Sequence, residues 1–116
     1  MIISRKQVEA KRMDNCHDGQ GVLWCAELLA DYDKKDSGFK FIHDNHLEPG
    51  ASIGEHRHDH DEELYVILDG HGRMSVDGVE HEVGPGDACL TRRGHRHGLT
   101  NGPDGPMHFL VINANA

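Results

Sequence analysis

From Phe39 onward, apolar and polar residues alternate over short runs separated by glycine, proline and aspartate, a pattern that predicts strands rather than helices. Phe39, Phe41, His43, Asn45 and Leu47 share one face of a strand that runs up to the Pro49-Gly50 turn. Ser52 to His58 and Glu63 to Leu68 read as two strands joined by a tight acidic turn. Arg73 to Val76 and Val79 to Val83 flank Asp77-Gly78, the strongest two-residue hairpin signal in the chain. After the turn Gly84-Pro85-Gly86-Asp87, a strand from Ala88 to Arg92 returns, and Met107 to Ile112 closes the sheet. The last of these has apolar residues on both faces, as a strand packed between a core and a partner would have.

The first 38 residues are less patterned. Ile2-Ile3 and the run from Val22 through Trp24 to Leu29 predict strands, whereas Gln7 to Met13 fits a helical turn or an extended edge segment equally. Ala30 to Ser37 is charged, poor in apolar residues and bounded by Gly38, which predicts an exposed loop. Trp24 reads either as a partner contact or as a core anchor.

The pattern acquires chemistry between Gly50 and Gly70. His56 and His58, two residues apart, project from the same face of one strand. Glu63 opens the returning strand, so a carboxylate can approach the histidine pair across the ladder, with Tyr65 and Ile67 continuing its face. Alternation admits only one of Glu62 and Glu63 to that face, and His60 is then left at the mouth or in solvent.

Gly50, five residues, His56-x-His58, four residues, Glu63, six residues and Gly70 resembles the first signature of the cupin superfamily. Gly86, Gly94, His97 and Asn101 are similarly spaced to its second signature, with Arg92 in the position of the family's proline. Two signatures in the right order, covering 50–70 and 86–101, are far more specific than either alone. The resemblance implies one all-β domain over 1–116, a double-stranded β-helix or jelly-roll-like barrel, with His56, His58, Glu63 and His97 as metal ligands. It selects Glu63 over Glu62 through the gap to Gly70. It also implies a homodimer in which the segment 1–38 packs on the partner.

Length and charge agree with one small domain. The 116 residues support a single core, and twelve basic against twenty acidic side chains give a net charge of −8, which disfavours nucleic acid. No apolar run approaches the ~20 residues of a membrane span, and Arg5 and Lys6 interrupt any signal-peptide core, so a cytoplasmic location is expected. Three cysteines form an odd set without disulfide spacing. Cys89 is expected in the core, and Cys16 and His17 in a loop without a special role.

Three imidazoles and a carboxylate suit one divalent ion of iron, manganese, nickel, cobalt or zinc and argue against copper(I). Such a centre attracts a small anionic oxygen chelator, a hydroxy acid, enolate or diketone. Arg92 and Arg96, close in sequence to His97, are candidates to clamp its anionic group. Tyr65, His95 and His43 are candidates for proton transfer. Two functions remain open: a metalloenzyme of the dioxygenase, decarboxylase or lyase, or isomerase type, and a metabolite-binding or sensing module without turnover.

Overall fold

The computed structural model describes residues 1–32 and 34–116; Asp33, within the expected exposed loop, lies outside the described residues. Ten strands follow in order: β1 (Lys11–Asp14), β2 (Val22–Glu27), β3 (Phe39–Leu47), β4 (Ser52–Arg57), β5 (Asp61–Asp69), β6 (Gly72–Val76), β7 (Val79–Val83), β8 (Ala88–Thr91), β9 (Arg96–Asn101) and β10 (Met107–Asn115). They form a six-stranded sheet, β1-β2-β3-β10-β5-β8, and a four-stranded sheet, β4-β9-β6-β7, with every pairing antiparallel. This is the expected all-β jelly-roll arrangement, and no helix among the described residues is long and apolar enough to cross a membrane.

Alternation explains which residues face inward. Along β10 the buried positions are Met107, Phe109, Val111 and Asn113, and along β5 they are Glu63, Tyr65 and Ile67. The core gathers between the sheets around Leu47, Phe109, Met107, Met74 and Leu99, none more than 1% exposed. Each such side chain contributes about 1.5–3 kcal/mol relative to exposure. The barrel therefore has a hydrophobic reason to fold that does not depend on bound metal.

The N-terminal segment departs from its pattern. Ile2 and Ile3 lie outside any strand, and Ile2 is 98% exposed. The edge strand is instead Lys11–Asp14, fully exposed and almost wholly charged, preceded by the 3-10 turn Arg5–Gln7. Pairing with β2, which no local apolar pattern announces, makes it a strand. Trp24 lies on the outer side of β2 opposite His46 and donates from Nε1 to Glu48 Oε1 at 3.0 Å.

Two features of this architecture matter for the site. The ladder between β4 and β9 pairs Ile53 with Leu99 and then His56 with His97, so β4 carries one extra residue there. This bulge at Gly54-Glu55 lets both Ile53 and His56 face inward, which strict alternation forbids. Second, the outer face of the six-stranded sheet is apolar, with Ile42, Leu64, Val66, Leu110 and Ile112 half-buried and Leu68 and Leu90 43% and 48% exposed.

Candidate metal centre

The site spans the two sheets. β9 and the bulged β4 bring His97 and His56 opposite each other in the four-stranded sheet. His58, just beyond β4, is held by its backbone, whose N–H donates to His95 O at 3.0 Å and whose carbonyl accepts from Gly94 N–H at 2.6 Å. Glu63 arrives from β5 in the facing sheet. Of the adjacent glutamates it is Glu63, 4% exposed, that meets the histidines, while His60 stays exposed.

The donor atoms converge tightly. Nε2 of His97 lies 3.0 Å from Nε2 of His58, 3.1 Å from Nε2 of His56 and 3.1 Å from Oε1 of Glu63. Nε2 of His58 is 3.3 Å from the same carboxylate oxygen. Donors at right angles around an ion with bonds of ~2.1 Å stand about 3.0 Å apart. The four residues have the spacing of a coordination shell and form a group able to hold an ion.

The partners of the other ring nitrogens give this spacing its meaning. Nδ1 of His56 donates to Gly54 O at 2.8 Å, and Nδ1 of His58 donates to Asp61 Oδ1 at 2.7 Å. Both acceptors are oxygens without a proton, so both rings carry hydrogen on Nδ1, and in the neutral form of each ring the Nε2 that faces inward is bare. Nδ1 of His97 meets the Thr91 hydroxyl at 2.7 Å, which serves the same tautomer. Three lone pairs and a carboxylate oxygen then face one another in a buried space, an arrangement that repels itself unless a cation lies among them. The donor set therefore fits a divalent ion with nitrogen and oxygen preferences.

The surroundings tune the charges. Burial alone would raise the Glu63 carboxyl, but the His97 ring, 3.1 Å away, and the hydrogen bond from Asn113 Nδ2 at 2.9 Å bring it below the ordinary range. Burial would likewise raise Asp61, yet bonds from Lys40 and His58 hold it low and anionic, as an anchor for His58. Burial, reinforced by the neighbouring imidazoles, pulls His56 down from its ordinary 6.5 to about 4, against the opposing Gly54 carbonyl. Burial also lowers His17, His43 and His46.

These shifts set a pH dependence for the metal-free protein. The unfolded chain protonates these imidazoles near 6.5, whereas folded His56 waits until about 4. Between those values the unfolded state binds more protons, so stability must fall as the pH is lowered through that window. Urea unfolding of chelated protein at pH 7.5, 5.5 and 4.5 should show a midpoint dropping steadily; a flat midpoint down to pH 4.5 would contradict the buried neutral ring.

The remaining candidates divide. His43 lies on the inner face of β3, half-buried and stacked on Phe41 with centroids 4.1 Å apart, and Glu63 acts on it electrostatically. Tyr65, 3% exposed, packs edge-on to His97 at 4.9 Å and against Phe109 at 5.3 Å. Burial and then the Glu63 charge hold its phenol protonated far above the usual range. His95, Arg92 and Arg96 do not join the cluster. His95 is exposed and bonded to Asp77 at 2.6 Å; Arg96 alternates with buried His97 and so points outward, 3.4 Å from Glu55; Arg92 is exposed in the turn after β8. Arg92 and Arg96 are close to His97 in sequence, but strand alternation turns Arg96 to the opposite face, and Arg92 and His95 lie in the turn between β8 and β9.

Asn113, Asp61 and Thr91 are the supporting residues that sequence reasoning missed. Asn113 continues the inward series Phe109, Val111 beyond the expected end of its strand, and a polar residue on a core face was the available signal. A second group of possible donors, Asp44, His46 and His108, lies on the outer sheet face. There Asp44 already accepts from Arg5 at 2.6 Å and from His108 at 2.5 Å, so a guanidinium supplies the positive charge. A cleft of about 460 Å³ opens between β7 and β8, lined by Met74, Val76, Val83, Cys89 and Leu90; it contains none of the four converging residues.

Comparison with known proteins agrees with this architecture. An oxalate-binding protein from Thermotoga maritima is 29% identical over 112 residues, 97% of this chain and 92% of that protein. A crystal structure of a predicted oxalate decarboxylase from Thermotoga maritima superposes with a TM-score of 0.92 at 27% identity, covering 100% of both chains. Dimethylsulfoniopropionate lyase DddW of Ruegeria pomeroyi is 39% identical over 57 residues, which span 49% of this chain but only 37% of the lyase. The profile of the Cupin domain family matches residues 44–113, so that two motifs, the barrel and the converging imidazoles all lead to one statement: the chain belongs to the cupin family.

Proposed function

We propose that this protein is a metal-binding cupin enzyme whose His56, His58, Glu63 and His97 hold one divalent transition-metal ion, and whose substrate is a small oxygen-chelating anion of the oxalate, hydroxy acid or keto acid class. The observation that carries the reading is the convergence of bare imidazole nitrogens and one carboxylate oxygen at 3.0–3.3 Å in a buried space. Three neutral ligands and one carboxylate leave a divalent ion with net positive charge, which favours an anionic chelator over a neutral one. When bound, the ion would supply Lewis acidity toward that ligand's oxygens. The resemblance to an oxalate-binding protein supports the same ligand class.

The chain's own groups define what else can act. Gly54, Asp61 and Thr91 anchor Nδ1 of the three imidazoles, and Asn113 fixes the Glu63 carboxylate. His43, neutral and half-buried on the inner face, is the best placed group for moving a proton. Tyr65 keeps its proton and serves as a packing support for His97.

A second reading, ligand capture without turnover, draws support from the likeness to that oxalate-binding protein of Thermotoga maritima. One experiment separates them. Protein loaded with manganese, iron, nickel, cobalt or zinc is titrated with oxalate and a panel of hydroxy and keto acids, while substrate loss and oxygen uptake are followed. Turnover with any metal supports the enzyme; tight binding with no loss in every combination supports the capture module; no binding of any chelator contradicts both.

We also propose that a second copy of the chain covers the apolar outer face of the six-stranded sheet, where Leu68 and Leu90 stand exposed. Sedimentation equilibrium at micromolar concentration is expected to give the dimer mass, and a monomer throughout would contradict it.

A further inference from the structure

The turn that precedes β2 is built in an unusual way. Asn15, His17 and Asp18 all have positive φ, at 53°, 50° and 62°, and none is glycine. Asn, Asp and His tolerate this region better than other side chains, but three within four residues persist only where the surroundings hold them. They are held here by β4. Gln20 N–H donates to Ser52 Oγ at 2.9 Å, and Ser52 N–H donates to Gln20 O at 2.8 Å. A Cβ on Gly54 would lie 1.9 Å from the His17 carbonyl oxygen, so only glycine lets the turn press this closely on the bulge.

The consequence is a ring placed on a ring. The imidazole of His17 lies flat against that of His56, with centroids 3.6 Å apart and planes within 9°. His56 is the donor that most needs such support. His97 is fully buried and bonded to Thr91, and His58 is buried and bonded to Asp61. His56 is more open than either, and the hydrogen bond of its Nδ1, to Gly54 O, reaches only two residues back along its own strand.

From this we infer that His17 is a positioning residue of the metal centre: stacked on His56, it fixes the plane of that imidazole so that Nε2 stays aimed at the ion. The inference rests on the metal-binding reading above. It assigns a role to a residue whose neighbours in sequence suggest only a loop.

Cobalt(II) alone is the probe, because its visible absorption reports ligand geometry as well as occupancy. Wild type, His17→Ala and His17→Phe are titrated with cobalt(II), and the thermal unfolding of each metal-free protein is recorded alongside. Removing a group that orients a metal ligand costs on the order of 10–100-fold in affinity, and His17→Ala is expected to fall in that range with an altered cobalt spectrum. His17→Phe keeps a flat ring on His56 and is expected to restore both. A merely structural role would shift the unfolding of the metal-free alanine variant and leave the cobalt spectrum unchanged, and that result would overturn the inference. So would a phenylalanine variant as weak as the alanine one, or, should the alanine variant not fold, a phenylalanine variant that does not bind. Wild-type protein that takes up no cobalt would overturn the metal reading itself, whereas wild-type binding with an unaffected His17→Ala would overturn this step only.

Discussion

Replacing His97 by alanine is expected to lower metal affinity by at least about a hundredfold while the barrel stays folded. His97 is the hub of the cluster, within 3.0–3.1 Å of each of the other three donor atoms and without solvent exposure. Losing a group that only orients a ligand already costs roughly 10–100-fold, and a missing ligand removes a coordinating bond outright. The fold survives because the core around Phe109, Leu47 and Met74 lies elsewhere between the sheets. Truncation still leaves the buried Thr91 hydroxyl without its His97 Nδ1 partner, a cost of about 1–3 kcal/mol. Equilibrium dialysis against manganese(II), paired with far-ultraviolet circular dichroism, reads both halves. Unchanged stoichiometry and affinity in a folded variant would mean that the ion sits somewhere other than between these four residues.

Removing metal from the wild-type protein should lower its melting temperature by roughly 10–20 °C. Only the folded chain brings β4, β5 and β9 together, so an ion at a thousand times its dissociation constant stabilises the fold by about 4 kcal/mol. In a chain of 116 residues each kcal/mol moves the midpoint by several degrees. Chelation also returns the donor cluster to mutual repulsion among bare nitrogens, which acts in the same direction. Calorimetry with and without a chelator, and again after metal is restored, measures the shift. Identical midpoints in all three scans would contradict a metal-linked fold.

Much of the centre was legible from spacing because its geometry is local. His56 and His58 share a face through two-residue periodicity, Glu63 follows one turn later, and the motif containing His97 has its own glycines. Pairing across the barrel is different in kind. The bulge at Gly54-Glu55 is defined only by β9, and nothing in β4 alone says that Ile53 and His56 both turn inward. Asn113 reaches Glu63 through the pairing of β10 with β5, and Thr91 reaches His97 from the opposite sheet. Such partners are set by topology, not by neighbours in the chain.

The same distinction explains the readings that strayed. Arg96 and His95 flank His97 in sequence, yet alternation and the Gly94 turn direct them to Glu55 and Asp77 at the surface. The charged edge strand Lys11–Asp14 carries no hydrophobic period, so the sequence leaves a helical turn and an extended edge segment open over Gln7 to Met13, and pairing with β2 decides for the strand. His17 had no local signal at all. Its relation to His56 depends on a left-handed turn meeting a glycine 37 positions away, as the numbering of His17 and Gly54 shows.

X-ray absorption at the cobalt edge of the loaded protein tests the arrangement most directly. The expected result is one ion per chain, three imidazole ligands resolved by their multiple-scattering pattern, and further light-atom scattering from a carboxylate oxygen at about 2.1 Å. A spectrum with fewer than three imidazoles, or with a sulfur neighbour near 2.3 Å, would contradict it.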